Sequence, residues 1–545
     1  MFRFTFSRLR GYVLVCVMLA LSAPASLAHG GTPPERQALV SAALRAQLEG
    51  TAEPWGDTEL DMRALRAYYA RSAFRPVWSD AEGALDNARL LFAALQYADR
   101  EGLGPEDYHV ADIEKQGWHS PFPEQQAWLD LLLTDAFLAY SRDVAGGHIE
   151  PWEVDPYWYI TPRDINPVAM LDAALDAPDF GAALAALPPP HAGYRRLRAV
   201  LTRYRALAAN GGWPTMPPGP LLRLGSRHPQ VALLRGRLRA EGDLLLGPVY
   251  HRERFDQAVE AAVNRFQVRH GLPMDGVVGP VTRTAMNVPV TKRIELLALN
   301  LERWRWLPRE LGERHLIVNT AGFELYAIER GEPRLAMRVI IGKPFRSTPT
   351  FSASLYAIVV NPYWNVPLGL ALEDLVPRQM REPGYMRARR VRVYDGWGAD
   401  ATEIDPRTVE WSALSETHFP VRLRQDPGPQ NPLGRMKFLL GNPYEIYLHD
   451  TPERELFNHS VRTFSAGCIR LQQPDELAGF LLSAEQTDAA QEVQELIRTG
   501  ANHTIELAQP VPVYMVYFTA WVARDGGVHF RDDIYQRDTV GRWCP

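Results

Sequence analysis

The spacing of apolar residues changes along this chain, and neither an all-helical nor an all-strand fold accommodates both patterns. In stretches such as residues 85–97 and 128–140, apolar positions recur at three and four, the period of a helix with one buried face. From about residue 291 the apolar residues fall instead into short continuous or alternating runs, at 316–319, 323–328, 335–341, 356–361, 437–440 and 446–449. Gly, Pro and Asn separate these runs, as expected of strands. At 545 residues the chain exceeds what one core organises, so two to four domains are expected. A hydrophobic fraction of 46% with 23% charged residues is an ordinary globular balance. The fold class that follows is multidomain α+β.

Arg3, Arg8 and Arg10 precede an apolar run at residues 12–21 that leads to Ser26-Leu27-Ala28, a small-x-small cleavage pattern. Residues 1–28 therefore read as a signal peptide and the mature chain as exported. The run falls short of the roughly 20 apolar residues that span a bilayer, which makes an uncleaved anchor the weaker alternative. Val15 before Cys16 argues against a lipid-modified cysteine. Lys plus Arg total 59 against 64 Asp plus Glu, and only four of the basic residues are lysines, so no nucleic-acid partner is indicated. Beyond the signal two cysteines remain, Cys468 and Cys544, too few for a disulfide framework. They could pair, or Cys468 could be a working thiol.

Residues 29–215 read as a mostly helical domain without a chemical motif, punctuated by Pro188-Pro189-Pro190 and by a Pro-rich linker at 213–220. Tyr157, Trp158 and Tyr159 read as packing residues. Residues 216–290 form a smaller unit with helical stripes at Val231, Leu234, Leu238 and at Val259, Val263, Phe266, and a third helix opened by Pro280. Its order Phe266-Gln267, Gly271-Leu272, Asp275-Gly276, Gly279-Pro280 and Thr282 resembles the peptidoglycan-binding type 1 domain. The alternative is that the same residues do no more than build turns and a small core. Between 368 and 424 a charged, Pro-interrupted stretch breaks the strand rhythm and reads as an insertion of the lid or binding-loop kind.

The strongest chemical signal is Ser465-Ala466-Gly467-Cys468-Ile469-Arg470, preceded by Tyr447-Leu448-His449-Asp450. Alternation places Tyr447 and His449 on one strand face and Ile446 and Leu448 on the other. A thiol with a pKa of about 8.5 is only slightly ionised at neutral pH, so a cysteine nucleophile needs a base or a positive neighbour. His449 is the candidate base, the N–H groups around Gly467 and Cys468 could face an oxyanion, and Arg470 adds positive charge. His459 is a rival base in a polar loop. The fourteen histidines are all at least ten residues apart, so no His-x-His or His-Glu-x-x-His pair exists. No serine stands three before any lysine, which removes the Ser-x-x-Lys enzymes.

The segment from His449 to Cys468 resembles the active-site segment of the L,D-transpeptidase (YkuD-type) catalytic domain. Asn361 to Pro367, Pro427 to Gly434, Lys437-Phe438 and Ile446 to Pro452 look like the large periplasmic, YcbB-like group. That resemblance implies a helical scaffold domain (29–215), a peptidoglycan-binding domain (216–290) and a mostly β catalytic domain (291–545) with a capping insertion. It further implies a cysteine acyltransferase of cell-wall organisation and cell shape. Cys468 would attack the bond between diaminopimelate and the terminal D-alanine of a tetrapeptide stem, and a diaminopimelate amine on a second stem would resolve the thioester into a 3→3 cross-link. His449 would move the proton, the Asp450 carbonyl would orient the imidazole, Gly467, Ser465 and Arg470 would serve as oxyanion or orienting groups, and Tyr447, Trp364, Tyr363 and Asn365 would line the donor site. Many members of the wider family carry a second histidine where Ala466 stands, leaving His449 the sole base by motif. The resemblance implies no cofactor and no metal, peptidoglycan as partner with wall synthases or hydrolases as further candidates, and acylation of Cys468 by carbapenems. An L,D-carboxypeptidase using the same nucleophile and a non-catalytic wall-binding scaffold are the competing readings.

Overall fold

A computed structural model describes residues 32–51, 58–80, 82–245, 247, 251–398, 400–483 and 489–538. The expected signal segment and Cys544 lie outside the described residues. The N-terminal part is helical, with α1 (Pro33–Leu48), α2 (Met62–Arg71) and α3 (Asp86–Gln96) packed around α4 (Pro123–Gly146). Helix α4 is buried along most of its length, so its polar residues must be satisfied internally. Asp130 shows how: its carboxylate accepts from the Tyr69 hydroxyl at 2.6 Å and from the Val77 and Trp78 amides at 2.9 and 2.8 Å. Further on, α5 (Ala192–Ala209) carries Tyr194, Leu197, Leu201 and Tyr204 inward.

The next unit contains the three expected helices, α6 (Gln230–Ala240), α7 (Gln257–Arg269) and α8 (Pro280–Met286), around their own small core. Within it the Gln267 amide closes the Asp275–Gly276 turn, donating to Asp275 Oδ1 at 2.7 Å and to the Val277 carbonyl at 3.0 Å. Its carbonyl accepts from the Asp275 and Gly276 amides at 3.1 and 3.0 Å. The hydrogen-bonding groups of that motif are thus used in building the turn.

Residues 290–305, where strand texture was expected to begin, form a helix instead: α9 (Val290–Arg305). Leu297, Leu301 and Trp304 supply its buried stripe, which shares one core with α5 and with residues of the following sheet. The first strand after this helix starts only at Arg314.

That sheet has nine strands: β1 (Arg314–Asn319), β2 (Glu324–Glu329), β3 (Glu332–Gly342), β4 (Phe351–Val360), β9 (Met436–Leu440), β10 (Leu448–His449), β11 (Thr463–Ser465), β12 (Ile469–Leu471) and β13 (His503–Val516). Their order is β11-β3-β12-β10-β9-β4-β13-β1-β2, and β2 also pairs with β3, so the sheet closes on itself. The numbers β5 to β8 belong to the insertion, whose strands β5 (Trp364–Asn365), β6 (Val391–Tyr394), β7 (Glu403–Ile404) and β8 (Arg422–Gln425) make a separate sheet in the order β5-β8-β6-β7. This sheet has its own core of Val366, Leu375, Met386, Val393 and Leu423. The insertion therefore extends slightly beyond 368–424 at both ends, because its sheet is anchored by Trp364 and Gln425.

Candidate active site

Strand register gathers the chemical residues on one face. In the antiparallel pair β9–β10, Lys437 stands opposite His449, and in the parallel pair β10–β12, His449 stands beside Arg470. Cross-strand partners share a face and neighbours along a strand alternate. Lys437, Tyr447, His449 and Arg470 therefore project together, while Phe438, Leu448 and Ile469 enter the core. Cys468 immediately precedes β12, follows Tyr447's position in the register, and is a free, half-buried thiol.

The loop that presents the thiol is held by two hydroxyls. Ser465 Oγ donates to the Cys468 carbonyl at 2.6 Å and accepts from the Gly467 amide at 3.1 Å. Thr348 Oγ1, fully buried, donates to the Gly467 carbonyl at 2.7 Å and accepts from the Gly342 amide at 3.1 Å. Gly467 sits at φ +125°, a conformation that side chains rarely adopt. One expectation is corrected here: the Gly467 N–H is occupied by Ser465 and is not aimed at an oxyanion. The Cys468 N–H carries no hydrogen bond among the described residues.

His449 is only 5% exposed, and its Nδ1 lies 2.6 Å from the Asp450 carbonyl oxygen. Because a carbonyl only accepts, Nδ1 carries the proton and Nε2 keeps its lone pair. Burial first, then the charges of Arg470 and Lys437, push the imidazole down to about 3, while the Asp450 and Pro432 carbonyls pull the other way. The ring is neutral near pH 7.

The Asp450 carboxylate faces away from this exchange, accepting from the Arg435 amide at 2.9 Å and from Arg454 at 3.1 Å. At Gly434, φ +61°, a Cβ would come within 2.4 Å of Asp450 Oδ2, so glycine is needed for that approach. Burial pushes the Cys468 thiol up, and the amide and hydroxyl of Tyr447 and the ammonium of Lys437 oppose that push. Sγ also lies 3.7 Å from the Glu445 carbonyl.

Other expected site residues divide. Trp364 reaches the Tyr447 hydroxyl. Tyr363 and Asn365 point the other way along β5 and are exposed, Tyr363 beneath the Arg424 guanidinium at 4.4 Å, because strand alternation sends neighbours of Trp364 to the opposite face. Arg470 is already paired with Glu453, which reduces its use as a free charge. His459 is exposed and packs edge-on against Phe464 at 5.3 Å. Tyr159 of the helical region stacks on Tyr444 at 4.7 Å, tying that region to the rim of the site. Lys437 and Thr348 were missed from the sequence. The signal for Lys437 was its alternation with Phe438, whereas Thr348 carried none.

The insertion is latched to the same rim. Arg346, on the turn beneath Gly467, pairs with Glu373 and, at 3.6 Å, with Asp374 of the insertion.

Family comparisons fit this layout. Residues 63–201 match the model described as "Scaffold domain", 227–286 that of "Putative peptidoglycan binding domain", and 313–508 that of "L,D-transpeptidase catalytic domain". The chain carries a YkuD-type L,D-transpeptidase catalytic domain together with a peptidoglycan-binding domain. A Haemophilus influenzae protein named "Putative L,D-transpeptidase" is 33% identical over 257 residues, 46% of this chain and 50% of that protein. The chain thus spans about half the length of the curated relative it matches. Among solved structures, an L,D-transpeptidase from Xylanimonas cellulosilytica is 16% identical, covering 55% of this chain and 100% of that one at a TM-score of 0.18. One from Mycobacterium smegmatis is 13% identical, covering 37% and 58%, also at 0.18.

Proposed function

We propose that the protein is a peptidoglycan L,D-transpeptidase that forms 3→3 cross-links through a thioester on Cys468. The observation that carries this reading is the issue of Cys468 and His449 from neighbouring strands onto one sheet face, within the segment that matches the catalytic-domain family. Cys468 Sγ adds to the carbonyl between diaminopimelate and the terminal D-alanine, and its proton passes to His449 Nε2. The C–N bond breaks, the leaving amine takes that proton, and a thioester remains. The side-chain amine of diaminopimelate on a second stem then attacks the thioester, the new amide forms, and Sγ recovers a proton. The Asp450 carbonyl holds the imidazole in the tautomer this requires.

The insertion, latched through Arg346, excludes water so that the thioester meets an amine. Peptidoglycan is substrate and partner, and the periplasm, reached by the signal peptide, is the compartment. Wall synthases or hydrolases are partners suited to the helical region.

The test uses purified chain and disaccharide-tetrapeptide, with products read by mass spectrometry. Cross-linked dimers with released D-alanine, abolished in Cys468→Ala, support the reading. Tripeptides alone make the protein an L,D-carboxypeptidase, cross-linking unchanged in Cys468→Ala removes the Cys468 thioester, and no product from the parent chain returns it to a wall-binding scaffold. A carbapenem is expected to add its mass to the intact chain and not to Cys468→Ala.

A further inference from the structure

Three cations lie near the nucleophile, and two are already paired: Arg470 with Glu453, and Arg346 with Glu373 and Asp374. Lys437 is different. It is half-buried on β9, directly opposite His449 in the register, and its ammonium sits 3.8 Å from the centre of the Tyr447 ring, whose hydroxyl reaches Cys468. Among the described residues it makes no ion pair. A largely desolvated ammonium with no ion-pair partner is costly, and it is eased only by the more distant Glu445 charge and by any negative charge that forms on Cys468. The groups that face this spot are Lys437 from β9, Tyr447 and His449 from β10, Glu445 from the loop before β10, and Cys468 with Arg470 around β12. Of these, Cys468 is the one that turns negative during the proposed reaction.

We propose that Lys437 is the built-in countercharge of the Cys468 thiolate, so that an ammonium reaching across β10 from the strand beyond it stabilises the nucleophile while His449 handles proton transfer. The inference deepens the reading of Cys468 as nucleophile and rests on it. Two features agree. Burial holds the Lys437 ammonium below its ordinary range, and the first opposing influence is the sulfur of Cys468. His449, pushed down to about 3, is a poor source of positive charge for a Cys–His ion pair. In the ionisation step the S–H bond breaks, the proton leaves through His449 Nε2 or to solvent, and Lys437 keeps all three of its protons.

The experiment is the rate of iodoacetamide alkylation of Cys468 in the full chain against pH. It needs no peptide substrate, so its failure is distinct from a failure to cross-link. Lys437→Met is expected to raise the midpoint by about one pH unit, about tenfold slower alkylation at pH 7. Lys437→Arg is expected to keep the parental midpoint, which a merely structural role would not require. Lys437→Gln serves as a second neutral variant if Lys437→Met does not fold. Parental midpoints in the neutral variants, or a shift of the same size in His449→Asn, would overturn the assignment. The second result would restore an imidazolium as the countercharge.

Discussion

Thr348 offers the sharpest test of how the nucleophile loop is held. Its hydroxyl is fully buried and joins two backbone groups that have no other role in the sheet ladder, the Gly342 amide at 3.1 Å and the Gly467 carbonyl at 2.7 Å. Thr348→Val keeps the shape and removes both bonds. Leaving a buried donor and a buried acceptor unsatisfied costs about 1–3 kcal/mol each, so a net loss of about 3 kcal/mol is expected after the extra methyl is buried. For a domain of this size each kcal/mol moves Tm by about 2–4 °C, which gives a drop of about 9 °C. Thr348→Ser keeps both bonds and loses one methyl, about 1 kcal/mol and about 3 °C. Scanning calorimetry on the full chain reads both values. Turnover should fall with the valine variant by tenfold or more, about the cost of a small misplacement of a reacting atom. If Thr348→Val melts with the parent while Thr348→Ser melts lower, the hydroxyl bridge contributes nothing and the account of the loop is wrong.

Stability should also fall with acid below the ordinary histidine range. His449 is held near 3 by burial, so between about 6.5 and 3 the unfolded chain binds a proton that the folded chain refuses. The folded state loses up to about 1.4 kcal/mol per pH unit from this group within that window and nothing further below it. His191 and His529, each pushed down to about 4 by burial, add in the same direction. Urea titrations at pH 7 and pH 4.5 measure the slope, which His449→Gln should reduce. The Arg346 latch makes a separate prediction: Glu373→Gln with Asp374→Asn should change overall stability by less than about 1 kcal/mol, since these acids are largely exposed. The same pair should raise hydrolysis relative to cross-linking several-fold, read as the ratio of tripeptide to dimer. An unchanged ratio would mean that the latch does not govern water entry.

The proposed nucleophile was legible from its local motif, and the face of His449 because short strands alternate strictly: Tyr447 and His449 had to share a face opposite Ile446 and Leu448. The first two helices between 230 and 286 were legible because each carries an apolar stripe, and the third because Pro280 suits a first helical turn. Helix α9 was missed because its stripe is shared with α5 and the sheet, so its polar positions, including Asn300, Arg303 and Arg305, are buried too and blur the period. Strand β13 was missed because Pro510 and Pro512 lie within it. A register shift between Glu506 and Val511 lets it pair around them and stay near the centre of the sheet.

What the sequence determined alone was therefore local: which residues could ionise, which could turn sharply, and which faces alternate. Tertiary structure decided the rest, because it depends on pairing between segments far apart in the chain. Strand register puts Lys437 opposite His449, and the folding back of the loop after β3 puts Thr348 beneath Gly467. Burial, which sets the protonation of His449 and Cys468, exists only once those segments have come together.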